Sequence, residues 1–123
     1  MCKASNLVDV MNISATDFFE RMIAYGDDPD VVILDIRTAD EYEIYHIRGA
    51  VNIDFYREDF FEELDTLDRD KIYLLYCRTG RRTGTAEDNA LELMKRMEFP
   101  EVYNMLGGIH EFVKVAGAEE YLV

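Results

Sequence analysis

An α/β fold with a mostly parallel central sheet and helices on both faces is predicted from three observations. The apolar runs Val31-Val32-Ile33-Leu34 and Ile72-Tyr73-Leu74-Leu75-Tyr76 have the branched and aromatic content of strands buried on both sides, and Glu101 through Leu106 reads as another strand. The stretches between these runs place apolar residues at helical spacing. Strands alternating with helices pair in parallel and need cover on both faces.

In chain order, Ser14-Ala15-Thr16-Asp17 opens an amphipathic helix through Tyr25, with Phe18, Met22 and either Ile23 or Tyr25 facing inward, and Gly26 ends it. Asp27-Asp28-Pro29-Asp30 is a polar turn into the first buried strand. Thr38 caps a short helix over Thr38-Ala39-Asp40-Glu41-Tyr42, and Ala50-Val51-Asn52-Ile53 is a further candidate strand. Phe60, Phe61, Leu64 and Leu67 mark a short helix between Asp59 and Leu67. Ala86, Ala90, Leu93, Met94 and Met97 predict a long helix from about Thr83 to Phe99, and Gly107-Gly108 breaks the last strand into a helix carrying Phe112 and Val115.

The 123 residues suit one domain over 1–123, and 49% hydrophobic with 32% charged residues is globular rather than disordered. A formal charge of −13 argues against a general nucleic-acid or acidic-membrane surface. The sequence shows no membrane-spanning apolar run and no signal-peptide pattern, so a cytoplasmic protein is expected, or one whose export or lipidation signal has been removed. Cys2 and Cys77 do not form a disulfide framework; Cys2 reads as an incidental terminal thiol or, after processing, a lipid-attachment site. With His46 and His110 they form no zinc spacing, and neither a metal nor a cofactor is expected.

Chemistry concentrates in Cys77-Arg78-Thr79-Gly80-Arg81-Arg82, where a lone thiol follows a strand and precedes a helix. In open parallel sheets, ligands sit beyond the carboxyl ends of the strands, and Asp35, Cys77 and Gly107 all fall there. Three of the 13 basic residues lie in this loop, and inward-facing amides next to a helix start favour an anion. Gly80 can take positive φ and curl the amides inward, and Thr83 can cap the following helix. The loop therefore reads as an anion cradle built around a nucleophile. An inert packing cysteine, a solvated arginine turn or a phosphate-binding turn without covalent chemistry are the other readings of the same residues.

Leu34-Asp35-Ile36-Arg37, Glu41-Tyr42 and His46 through Ile53, then Cys-x-x-Gly-x-Arg at Cys77, Gly80 and Arg82, then Leu106-Gly107-Gly108 with Phe112, together resemble the rhodanese-like sulfurtransferase domain over nearly the whole chain. The resemblance implies a five-stranded, mostly parallel sheet and a persulfide carried on Cys77. A small donor such as thiosulfate or a persulfide would load it, and cyanide, a thiol or a protein sulfur acceptor would unload it. Arg78, Thr79, Gly80, Arg81, Arg82 and Thr83 would form the binding loop, with Arg82 on the motif and Arg78 and Arg81 either tuning donor choice or facing water. Asp35 and Arg37 are expected to brace the strand end, and His46 to be structural. Tyr45 and Arg48 in the first signature, and Phe112 where tryptophan is usual, depart from the family in structural stretches. Related phosphatases and arsenate reductases have a loop one residue longer; here four residues, Arg78 to Arg81, separate Cys77 from Arg82, and Thr83 at the next position cannot clamp an oxyanion. A regulatory or sulfur-carrier binding domain that merely kept the scaffold is the alternative of a different class.

Overall fold

A computed structural model describes residues 10–85 and 89–123. Five strands, β1 (Val10–Ile13), β2 (Val31–Asp35), β3 (Val51–Asn52), β4 (Ile72–Tyr76) and β5 (Val102–Met105), form one sheet in the order β1-β5-β4-β2-β3, with every neighbouring pair parallel. The chain moves outward one way from β2 to β3 and the other way from β4 to β5. The carboxyl ends of β2 and β4 therefore flank the crevice where such sheets bind ligands.

Alternation along β4 divides the core. Leu74 and Tyr76 pack beneath α1 (Ala15–Tyr25) and α5 (Gly108–Phe112), while Tyr73, Leu75 and Cys77 face α3 (Phe60–Asp65) and α4 (Ala90–Arg96). On the first face Phe18 and Phe19 meet Phe112 edge to face at 6.3 and 5.9 Å between centroids, so phenylalanine fills the position where the family usually has tryptophan. α2 (Ala39–Ile44) fully buries none of its side chains, though Tyr42 packs against the core, and it presents Glu41.

Capping residues account for several helix starts. Ser14 Oγ accepts the Asp17 amide at 3.0 Å, and Gly26 ends α1 at φ +58°. Thr38 and Glu41 form a reciprocal capping box at the start of α2. Ile23 and Phe61 are exposed; of the two alternatives at the end of α1, Tyr25 is the one that packs against the core.

Three expectations need correction. The helix expected from Thr83 to Phe99 is divided: Arg81–Thr85 is a π-helical turn, and α4 begins only after Asn89, whose extended backbone and side chain cap the Glu92 amide at 2.9 Å. Thr83 is thus inside the π turn, not at the start of α4, and its hydroxyl lies by the Cys77 sulfur. At the other end Glu98 adopts φ +69°, and the Phe99 amide bonds back to Met94, stopping the helix before Phe99. Strand β1 is not among the expected strands; of its described side chains, Met11 and Asn12 on this edge are exposed and Ile13 turns into the core. Cys2 and Ala86 lie outside the described residues.

The segment His46-Ile47-Arg48 pairs with the last residues. His46 and Val123 exchange two backbone hydrogen bonds at 2.9 Å, and Arg48 donates to the Glu120 carbonyl at 2.8 Å.

Two glycines let main chain meet main chain under the loop that follows β4. The Ile109 and His110 amides donate to the Cys77 and Arg78 carbonyls at 2.9 and 3.0 Å. A Cβ on Gly108, at φ +64°, would fall on those same carbonyls, and one on Gly80, at φ +86°, would come within 2.7 Å of the Gly107 nitrogen. Gly108→Ala therefore combines a left-handed backbone with a backbone clash and is expected to cost about 2–4 kcal/mol of unfolding free energy in urea titrations. Gly26→Ala, where a Cβ would meet nothing within 4 Å, should cost only about 1 kcal/mol.

Candidate active site

Register brings the site's supports to one level. Asp35 at the end of β2 lies beside Tyr76 of β4 and Asn52 of β3, and Cys77 is the next residue after Tyr76. Asp35 is fully buried with Arg37, which gives it bonds from Nε and Nη2 at 3.0–3.2 Å and an amide at 2.8 Å, while also donating to the Tyr45 carbonyl. Asn52 Nδ2 ties the carbonyls of Asp35 and Arg37 at 3.0 and 2.9 Å. The Tyr76 hydroxyl accepts the Ile47 amide at 3.1 Å, and burial first, then the Asp35 carboxylate, push its phenol above the usual range. This cluster braces the turn out of β2, with no contact to the thiol.

Cys77 Sγ is fully buried on the face shared with Ile36, Ile53 and Leu75. Its polar contacts come from the loop. The Gly80 amide donates to Sγ at 3.1 Å, and the buried Thr83 hydroxyl lies 3.4 Å away. Gly80's positive φ turns its amide inward, so the anion-favouring group is a loop amide rather than the start of α4, which lies beyond Asn89. The thiol is enclosed, not displayed at an open mouth.

The loop arginines divide between a buried pair and the solvent. Arg82, largely buried, forms a two-nitrogen pair with Glu41 at 3.0 and 3.3 Å, and its guanidinium stands 5.5 Å over the exposed Tyr56 ring. Arg78 is mostly exposed and approaches the same carboxylate at 3.7 Å. Thr79 and Arg81 face solvent. Glu41 Oε1 also accepts the Thr38 amide at 2.9 Å, so the carboxylate is fixed by its own helix start before it meets an arginine. Burial raises the Glu41 pKa, but hydrogen bonds from Arg82 and Thr38 and the Arg82 charge outweigh it, holding the group at about 2. Arg82 is raised for the matching reason: burial lowers it, and the hydrogen bond and charge of Glu41 prevail.

His46 stacks on Tyr42 with centroids 3.7 Å apart, and its Nδ1 lies 2.8 Å from the Tyr42 carbonyl. His110 is exposed, and among the described residues no three His, Cys, Asp or Glu side chains converge on a metal-sized space. Glu41 and Asn52 are the site residues that sequence reasoning did not single out. In the sequence Glu41 stands only within the short helix and the Glu41-Tyr42 stretch of the resemblance, and nothing local shows that it reaches a residue 41 positions away.

Two outcomes follow from this geometry. Asp35→Ala leaves the Arg37 charge buried without its partner and is expected to cost about 3–5 kcal/mol in chemical denaturation. A carboxylate lowered from 4.5 to about 2 contributes stability above pH 4.5 that is lost as the pH falls toward 2. Wild type should therefore exceed Glu41→Gln in stability at neutral pH, and the gap should close across that acid range in paired urea titrations.

Comparison with known proteins agrees with this architecture. Residues 16–115 match the family model described as the Rhodanese-like domain. A tRNA uridine(34) hydroxylase from Pectobacterium atrosepticum is 36% identical over 104 residues, covering 81% of this chain and 28% of that protein; its namesake from Citrobacter koseri is 33% identical over 118 residues, covering 89% and 33%. The chain thus spans a third or less of these curated relatives. A rhodanese-related protein from Thermoplasma volcanium superposes with a TM-score of 0.69 at 25% identity, covering 92% of this chain and 97% of that one. No helix among the described residues is long and apolar enough to cross a membrane. With a matching parallel sheet, a cysteine loop closing β4 and a family model covering most of its length, the chain belongs to the rhodanese-like domain family.

Proposed function

We propose that this domain is a sulfurtransferase that carries a sulfane sulfur as a persulfide on Cys77. The observation that carries this reading is the inward Gly80 amide, 3.1 Å from Sγ in a loop whose Thr83 hydroxyl is also within reach. Both groups can donate to a thiolate, and a cysteine needs that form to attack sulfur. The thiolate attacks the outer sulfur of the donor, forming a new S–S bond as the donor's own bond breaks. With thiosulfate the bonding pair leaves on sulfite; with a persulfide it leaves on the donor thiolate. A thiol or cyanide then attacks the terminal sulfur, and the pair returns to Cys77. No external oxidant or reductant is consumed, because the sulfane sulfur changes carrier without a net change in electron count.

Arg78, Thr79 and Arg81 are exposed, and on this reading they would meet the donor or a protein acceptor. Arg82 is better employed in positioning the loop against α2 than in touching substrate. Because Sγ is enclosed, the donor must enter as the solvent side of the loop moves.

The relatives, named tRNA uridine(34) hydroxylase, favour a second reading, in which this domain's thiol would serve a reaction on a tRNA uridine. In that case a chain of charge −13 would supply the sulfur site while the RNA backbone was gripped by positive surface elsewhere.

Intact-mass analysis after thiosulfate or persulfide treatment tests the proposal. Wild type should gain one sulfur atom that cyanide removes, and Cys77→Ala should gain none. Equal gains in both proteins would move the chemistry away from Cys77, and no gain with any donor would reject sulfur transfer.

A further inference from the structure

We propose, resting on the sulfurtransferase reading, that Glu41 is a built-in anion that sets donor selectivity: it occupies the arginine side of the loop and favours a persulfide donor over an oxyanion such as thiosulfate. Arg82 commits both terminal nitrogens to Glu41 at 3.0 and 3.3 Å, and Arg78 leans on the same carboxylate at 3.7 Å. The carboxylate cannot swing away freely, since its Oε1 also holds the Thr38 amide and the Glu41 amide is held in turn by Thr38 Oγ1 at 3.2 Å. A doubly charged donor must therefore either displace Glu41 from two guanidinium groups or bind beside a fixed negative charge. A persulfide makes no such demand, because its reacting sulfur needs the Gly80 amide and not an arginine fork.

The selected step is balanced: the Cys77 thiolate and R–S–SH give Cys77–S–SH and RS⁻, one S–S bond forming as one breaks. Glu41 touches neither reacting atom and acts through Arg78 and Arg82, so it is a positioning residue whose charge, not its bulk, determines the preference.

The test measures loading rates of Cys77, by intact mass, with thiosulfate and with cysteine persulfide, in wild type, Glu41→Gln and Glu41→Asp at low and high ionic strength. Glu41→Gln should raise the thiosulfate-to-persulfide rate ratio by about tenfold at low salt, through a lower KM for thiosulfate, with the gain fading as salt screens the loop. Glu41→Asp keeps the charge and should keep the wild-type preference. An unchanged ratio in a Glu41→Gln protein that still loads overturns the proposal alone; wild type loaded by neither donor overturns the sulfurtransferase reading and this inference with it. If Glu41→Gln does not fold, Glu41→Ala takes its place: a thiosulfate-to-persulfide ratio raised above that of wild type at low salt supports the proposal, and an unchanged ratio overturns it.

Discussion

The site depends on the contact between two pieces of main chain, the turn leaving β4 and the first turn of α5. Side chains are excluded there by distance: the Cys77 and Arg78 carbonyls occupy the space a Cβ on Gly108 would need, and the Gly107 nitrogen lies against Gly80. With those carbonyls bonded from below by Ile109 and His110, the base of the loop cannot rotate without breaking two backbone hydrogen bonds. The direction of the Gly80 amide, and hence the surroundings of the sulfur, follow from that constraint.

Charge is arranged in a second layer. An acidic chain concentrates arginines in one short loop and then returns a carboxylate to them from a short helix anchored by Tyr42. Tyr42 anchors α2 to the core and to the Ala50 carbonyl at 2.7 Å, and the Thr38 cap fixes the turn that places Glu41. The pairing explains how Arg82 is kept largely buried: a desolvated guanidinium needs a hydrogen-bonded partner, and Glu41 meets both of its terminal nitrogens. Arg82 thereby joins the loop to α2 and, through Tyr56, to the segment following β3.

Much of this was legible in the chain. The apolar run ending at Tyr76 matches β4 residue for residue, and Ser14, Gly26 and Thr38 sit at the helix ends they announced. These features are local, since a cap or a buried strand states its own requirements within a few residues. What stayed hidden was decided by distant partners or by competing local signals. β1 is an edge strand defined by its pairing with β5, and the apolar spacing of Ala86, Ala90 and Met94 concealed both the π turn and the Asn89 cap. In the site, the cysteine, glycine and arginine spacing was visible, but the assignment of Arg82 to Glu41 required the fold to bring α2 across the strand ends.

An enclosed sulfur and a transfer reaction are compatible because the two sides of the loop differ in how they are held. Its lower side is backbone bonded to backbone at Cys77 and Arg78, with glycines removing any slack. Its upper side runs through Gly80 into a π turn, where the hydrogen-bond geometry is less favourable than in an α-helix, and meets the rest of the molecule through side chains, Arg82 on Glu41 and the Asn104 and Asn12 side chains against Gly84. On the proposed transfer, admitting a second sulfur atom calls for movement beyond Gly80 and not below Sγ. The carbonyls of Cys77 and Arg78, and Gly80 against Gly107, would stay fixed, so the attacking atom keeps its position on the sheet as the segment after Gly80 gives way.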